Sequence, residues 1–141
     1  MDSQSDKAYL VIVDDDVNFC ESLRLALEDT YEISLIHSIE AAKRSFRKKL
    51  PELTLIDLNL PDGNGVDLFR ELKRYNDTPV IFLMTACATG ENAVKALKEA
   101  GSDFLSKPFD IDRLKKVLTA RLEKIRERKE RRESNQGYLC E

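Results

Sequence analysis

The chain has little of what most catalytic or membrane-bound frameworks rest on. Its 141 residues include one histidine, His37, and three widely spaced cysteines, Cys20, Cys87 and Cys140. An odd number without close pairs excludes the tight clusters of metal sites and redox motifs, so reduced thiols are expected. No apolar stretch approaches the ~20 residues of a membrane span. The opening Met1-Asp2-Ser3-Gln4-Ser5-Asp6 lacks the basic and apolar regions of a secretory signal, and a cytoplasmic protein is expected. There is no Walker-type glycine loop, no helix-turn-helix pattern, no internal repeat and no low-complexity tract. A net charge of -3, with the basic residues gathered toward the C-terminal part, argues against nucleic acid as the partner of the body of the chain. A hydrophobic content of 42% over this length is that of one domain with a full core.

What is present is an alternation. Apolar runs of strand length, at Ala8 to Val13, Glu32 to Ile36, Leu53 to Ile56, Val80 to Met84 and Asp103 to Leu105, alternate with stretches of helical period. That is the pattern of a doubly wound, five-stranded parallel α/β sheet with helices on both faces. Val17 to Asp29 sets Cys20, Leu23, Ala26 and Leu27 on one face, and Ile39 to Lys49 does the same with Ile39, Ala42, Ser45 and Phe46. Leu68, Leu72 and Tyr75 mark a third helix. Glu91 to Ala100 marks a fourth, stopping at Gly101. A fifth starts behind Asp110 as N-cap and carries Ile111, Leu114, Val117, Leu118, Leu122 and Ile125. Its apolar stripe ends there, because Arg126 to Glu133 contains no apolar residue. The expected division is a tail over 1–7, a domain over 8–125, and a charged helical extension and linker over 126–141, the linker at Ser134-Asn135-Gln136-Gly137.

The strand ends carry the chemistry. The first run delivers Asp14-Asp15-Asp16, the third Asp57, the fourth Thr85 and the last Lys107-Pro108. In an open sheet of order 2-1-3-4-5 the functional crevice lies at the carboxyl ends of strands one and three, which end in Asp14-Asp15 and Asp57. Neighbouring strands are ~4.8 Å apart, and two like charges ~4 Å apart at an effective dielectric of about 20 repel by roughly 4 kcal/mol. Lys107 offsets one of three carboxylates. A divalent hard ion cancels the remainder, and an all-oxygen donor set favours magnesium. A phosphoryl group on Asp57, the nucleophile, would then meet this ion, the Lys107 ammonium and the Thr85 hydroxyl.

In this order the motifs Asp14-Asp15, Asp57, Leu60-Pro61-Asp62-Gly63-Asn64-Gly65, Thr85-Ala86 and Lys107-Pro108-Phe109 resemble the receiver domain of the two-component response regulator family, from about Ala8 to about Arg121. The resemblance implies a flavodoxin-like receiver fold and an ion held by Asp15, Asp57, Asp14 partly through water, and the Asn59 backbone carbonyl. It implies phosphoryl contacts from Thr85, the Ala86 backbone and Lys107, switching by Thr85 and Phe104, and a cis Lys107-Pro108 peptide. A sensor histidine kinase or phosphotransfer protein is the implied donor. The chain's own output domain, or a partner, is the implied reader through the fourth helix, fifth strand and fifth helix, with a homodimer as one outcome. No membrane is implied, and nucleic acid only through an output domain absent from this chain, which is expected to be a piece of a longer transcriptional regulator.

Plainer readings stand beside these. Asp16 and Asp62 are expected as caps or turn formers. Phe104 serves as core aromatic or switch, and Cys87 as small filler or, with Asn59, as tuner of phosphoryl lifetime. His37, after the second strand, is expected to be solvated and remote from Asp57. The tail is read as an extension that joins an output module or aids dimerisation, with nucleic-acid binding as the alternative. A phosphatase of the haloacid dehalogenase type would need a second aspartate two residues past the nucleophile. Asn59 stands there instead, and a signalling switch, not an enzyme, is expected. A degenerate receiver used only as an interaction module conflicts with the full set of Asp14, Asp15, Asp57, Thr85 and Lys107.

Overall fold

The computed structural model describes residues 7–75, 79–86, 91, 98 and 104–139. Strands β1 (Ala8–Val13), β2 (Tyr31–Ile36), β3 (Leu53–Asp57), β6 (Val80–Thr85) and β7 (Phe104–Ser106) form one sheet in the order β2-β1-β3-β6-β7. All four pairings within it are parallel. A short antiparallel hairpin, β4 (Asn59–Leu60) with β5 (Gly63–Asn64), follows β3. Setting that hairpin aside, the order is the expected 2-1-3-4-5. The helices are α1 (Val17–Leu27), α2 (Ile39–Lys48), α3 (Gly65–Leu72) and α4 (Ile111–Leu139). The expected helix at Glu91 to Ala100, its stop at Gly101, and Cys87 and Cys140 fall outside the described residues, Glu91 and Lys98 excepted.

Side-chain alternation splits the core in two. Val11, Val13, Ile56, Ile81 and Leu83 pack with Ala42 and Phe46 of α2 and Leu68 and Leu72 of α3. Leu10, Ile12, Leu55, Phe82 and Met84 pack with Cys20, Leu23 and Leu27 of α1 and Leu114 and Leu118 of α4. A sheet covered on both faces needs apolar side chains at successive positions, hence the unbroken runs in the central strands. Strands β3 and β6 each run one residue past the apolar segment. Asp57 pairs with Met84 and Thr85 with Ser106, so the functional residues are themselves rungs of the ladder.

Helix starts follow local chemistry. Asp16 caps α1 by accepting the Phe19 amide, Ser38 caps α2 through the Ala41 amide, and Asn64 caps α3 through the Val66 amide. Asp62, from the hairpin turn, also accepts the Ile39 and Glu40 amides at 2.8 and 3.0 Å, joining the hairpin to α2. Those two donors hold its carboxyl below the usual carboxylate range. Asp110 caps α4, accepting the Asp112 amide at 3.0 Å. The stripe on α4 faces inward, with Leu122 and Ile125 half-buried against the α1-side core and Arg126 3.9 Å from Glu52. Helix continues through Ser134–Gly137, where composition suggested a linker. Charged residues one turn apart, such as Glu127 and Arg131 at 3.6 Å, favour its propagation.

One glycine fixes the placement of Asp57. The Gly65 amide bonds the Leu58 carbonyl at 2.8 Å, and a Cβ on Gly65 would lie 2.2 Å from the Asp57 carbonyl oxygen and 2.9 Å from Ile56 Cγ2. Backbone on both sides of that contact leaves no flexible side chain to yield. Gly65→Ala is expected to lower stability by about 1–3 kcal/mol, the usual cost of forced overpacking. Urea denaturation of the two proteins checks this, and equal midpoints would contradict it.

Candidate functional site

Among the described residues Asp14 is the most tightly held acid. It follows the last residue of β1 and is fully buried. Its amide bonds the Ile36 carbonyl at 2.9 Å, and its Oδ1 accepts the Asp16 amide at 2.9 Å. Its own carbonyl accepts from His37 Nδ1 at 2.8 Å and from Cys20 Sγ at 3.4 Å. His37 is exposed, as expected, and its ring reaches the Asp14 backbone and not a carboxylate. The register pairs Val13 with Ile36, so the residues that follow them emerge side by side. Burial, then the Asp14 charge, pushes the Cys20 thiol up to about 12, which leaves it inert at neutral pH.

Asp57 closes β3 beside Asp14 and is buried. One oxygen accepts the Asn59 amide at 3.3 Å. Asp15 is exposed at the mouth, and one carboxylate oxygen from each of Asp14, Asp15 and Asp57 lies within 4.8 Å of the others. Lys107 reaches in from the loop after β7, with Nζ 2.5 Å from Asp14 Oδ2 and 3.6 Å from Asp57 Oδ2. Its amide bonds the Thr85 carbonyl at 2.8 Å, and the Lys107-Pro108 peptide is cis. Thr85 is buried at the end of β6, Ala86 is exposed beside it, and Phe104 is half-buried against the α2/α3-side core. The expected site residues thus converge on one end of the sheet.

Phe19 is the participant that sequence reasoning missed. The Lys107 Nζ sits 4.2 Å from its ring centroid, and Phe19 meets Phe109 edge-on at 5.8 Å and 79°. A cation over an aromatic face gains about 0.5–2 kcal/mol. The ring is thus a wall that holds the ammonium against the acids. The only trace in the sequence is an aromatic in the first turn of the helix that starts at the acid cluster.

The charges do not balance. Burial, followed by the Asp14 charge, raises the Asp57 pKa, while Lys107 and the Asn59 amide offset part of that rise and Asp15 adds to it. Oxygen donors this close, with one cation among three acids, fit a hard metal ion. Without such an ion, a raised folded-state pKa means that Asp57 contributes stability below its unfolded pKa, about 3.9, and loses that contribution as pH rises through the folded value. In chelator, Asp57→Asn is therefore expected to match the original protein near pH 4 and to be the more stable of the two at pH 7. Thermal unfolding across that range checks the sign, and a less stable variant at pH 7 would contradict it.

Comparison with known proteins agrees with the geometry. The family model described as the response regulator receiver domain matches residues 10–119. Transcriptional regulatory protein ZraR of Salmonella typhimurium is 36% identical over 122 residues, covering 86% of this chain and 28% of that relative, so the chain spans less than a third of ZraR's length. The signal receiver domain of a LuxO repressor protein from Vibrio parahaemolyticus superposes with a TM-score of 0.77 at 25% identity, covering 87% of this chain and 95% of that one. A beryllofluoride-activated NtrC4 receiver domain dimer superposes with a TM-score of 0.74 at 25% identity, covering 83% and 98%. Among the described residues no helix is long and apolar enough to cross a membrane. With the acid cluster at the switch point of a 2-1-3-4-5 sheet and a family match over most of its length, this chain belongs to the response regulator receiver domain family.

Proposed function

We propose that this chain is a cytoplasmic phosphorylation-controlled switch that takes a phosphoryl group from the phosphohistidine of a sensor histidine kinase or phosphotransfer protein onto Asp57. The observation that carries this reading is Lys107, whose ammonium spans Asp14 and Asp57 while a third carboxylate shares the pocket. In the transfer a carboxylate oxygen of Asp57 bonds to phosphorus as the phosphorus–nitrogen bond to the donor imidazole breaks. Lys107, already between the two buried acids, stabilises the incoming oxygens. Thr85 and the Ala86 backbone amide, at the end of the adjacent strand β6, supply the neutral donors. Magnesium, held by Asp14, Asp15, Asp57 and the Asn59 backbone carbonyl, supplies charge neutralisation when bound.

The response is carried by Thr85 and Phe104. They lie on paired strands, Phe104 opposite Leu83 and Thr85 opposite Ser106. A Thr85 hydroxyl drawn toward a phosphoryl group leaves room for the Phe104 ring, and the population of the surface around β7 and α4 shifts. Phe104 has no hydroxyl, so partner contacts that need a phenol are absent. The domain proper spans 8–125, and the charged extension over 126–141 connects it to an output module that regulates transcription, or to a second copy. The NtrC4 neighbour, a dimer in its activated form, supports the second-copy outcome. The domain assists its own phosphorylation and dephosphorylation, and Asn59 offers no general acid for turnover of other substrates.

Incubation with acetyl phosphate and magnesium, followed by intact-mass analysis, is expected to add one phosphoryl group to the original chain and none to Asp57→Asn. No gain in the original would move the reading to an unphosphorylated interaction module. Separately, magnesium at a hundred times its dissociation constant is expected to stabilise the original by about 2.7 kcal/mol. Asp15→Asn is expected to lose most of that gain in the same thermal titration. An undiminished gain in the variant would remove Asp15 from the ion site.

A further inference from the structure

A second site lies at the other end of the sheet. Helix α2 leads from the carboxyl end of β2 to the amino end of β3, and α3 leads from the hairpin beside Asp57 to the amino end of β6. The last turns of both therefore lie away from the acid cluster. Between them is a cavity of about 260 Å³ lined by Lys43, Phe46, Arg47, Glu71, Arg74 and Tyr75. Lys43 and Glu71 pair across the helices at 4.0 Å and offset each other. Among the described residues the Arg47 and Arg74 guanidinium groups have no acidic partner, so the described lining carries about two positive units in a chain that is negative overall.

We infer that this cavity binds a small phosphate monoester bearing a planar ring, of the mononucleotide class, independently of phosphorylation at Asp57. A guanidinium in the last turn of a helix complements its dipole, which explains Arg47 alone. It does not explain why Arg74, beyond the end of α3, converges on the same space. Two guanidinium forks aimed from different elements suit the several oxygens of a phosphate dianion. Phe46 is buried in the core beneath the cavity, and Tyr75, half-buried at the side, offers an apolar ring against which a base can lie. The volume lies just below the usual range of drug-sized pockets, about 300–1,000 Å³, and so favours a compact ligand over a dinucleotide.

Isothermal titration of the full chain with AMP tests this, beside adenosine and inorganic phosphate as partial ligands. Saturable binding of one AMP per chain is expected, with Arg47→Ala and Arg74→Ala each weakening it about tenfold, the loss typical of one charge-assisted contact. Both side chains are exposed, so the variants should fold, and their uptake of phosphoryl from acetyl phosphate at Asp57 should match the original. Absence of saturable AMP binding at millimolar concentration, or unchanged affinity in both variants, would overturn the site. Adenosine binding as tightly as AMP would overturn the role of the phosphate, and inorganic phosphate doing so would overturn that of the ring.

Discussion

The ammonium of Lys107 is the contact on which the functional end of this molecule depends. Asp14 and Asp57 are both buried at the ends of adjacent strands, and two such charges repel by roughly 4 kcal/mol at ~4 Å and an effective dielectric of about 20. A cation that touches one and approaches the other makes their burial tolerable. Lys107 is in turn held from two directions. Its amide is fixed to the Thr85 carbonyl and its head lies over Phe19, so β6, α1 and the loop after β7 all bear on where its charge sits. One cation among three acids still leaves the pocket electron-rich. That surplus raises the Asp57 pKa and makes the site receptive to a hard ion.

The scaffold fixes the acceptor's backbone as firmly as Lys107 fixes its charge. Gly65 lets the start of α3 press against the Asp57 carbonyl, the Asn59 amide reaches the carboxylate, and the Leu58 amide bonds the Met84 carbonyl on β6. These constraints come from consecutive residues on either side of the hairpin β4–β5, so the loop after the acceptor is a structural clamp. Asp62 extends the clamp to α2, because its carboxylate caps a helix that its own segment does not precede. A shift of that turn would be felt at the start of α2. Among the described residues no comparable clamp reaches Asp15, which stays exposed.

Most of the sheet was legible in the sequence for one reason. Parallel strands covered on both faces must be apolar at successive positions, so Val11-Ile12-Val13 and Leu53-Thr54-Leu55-Ile56 announce themselves. The carboxyl ends were legible because Asp14, Asp57 and Thr85 break those runs, although the ladder continues through Asp57 and Thr85. The hairpin β4–β5 was not, since two-residue strands have no period to read, and Asp-Gly-Asn-Gly signals only a turn. The His37 contact with the Asp14 backbone was not legible because it depends on register, which one strand alone does not disclose. Phe19 was missed because a cation over a ring joins residues 88 positions apart in sequence, and no local pattern marks it. The helical backbone of Ser134–Gly137 was not legible because composition speaks to propensity, whereas a helix already propagating from Ile111 adds each further residue without a new nucleation step.

Charge is distributed along α2 and α3 in a way that separates two kinds of chemistry. At the start of α2 the exposed amides face Asp62, and at its end stand Arg47 and Lys48, so the helix runs from an acidic to a basic environment in the sense its dipole favours. The acid end of the sheet repels free anions unless an ion and Lys107 intervene, so the approach of an anion to Asp57 depends on both. The basic end carries no such restriction, because among the described residues two of its guanidinium groups stand without an acidic partner. With interactions between exposed charges screened beyond ~8 Å at physiological ionic strength, an anion in the distal cavity and a phosphoryl group on Asp57 do not compete through space. Any influence of one on the other has to pass through packed elements, and α3, whose start at Gly65 presses against the Asp57 carbonyl and whose Glu71 lines the cavity, touches both.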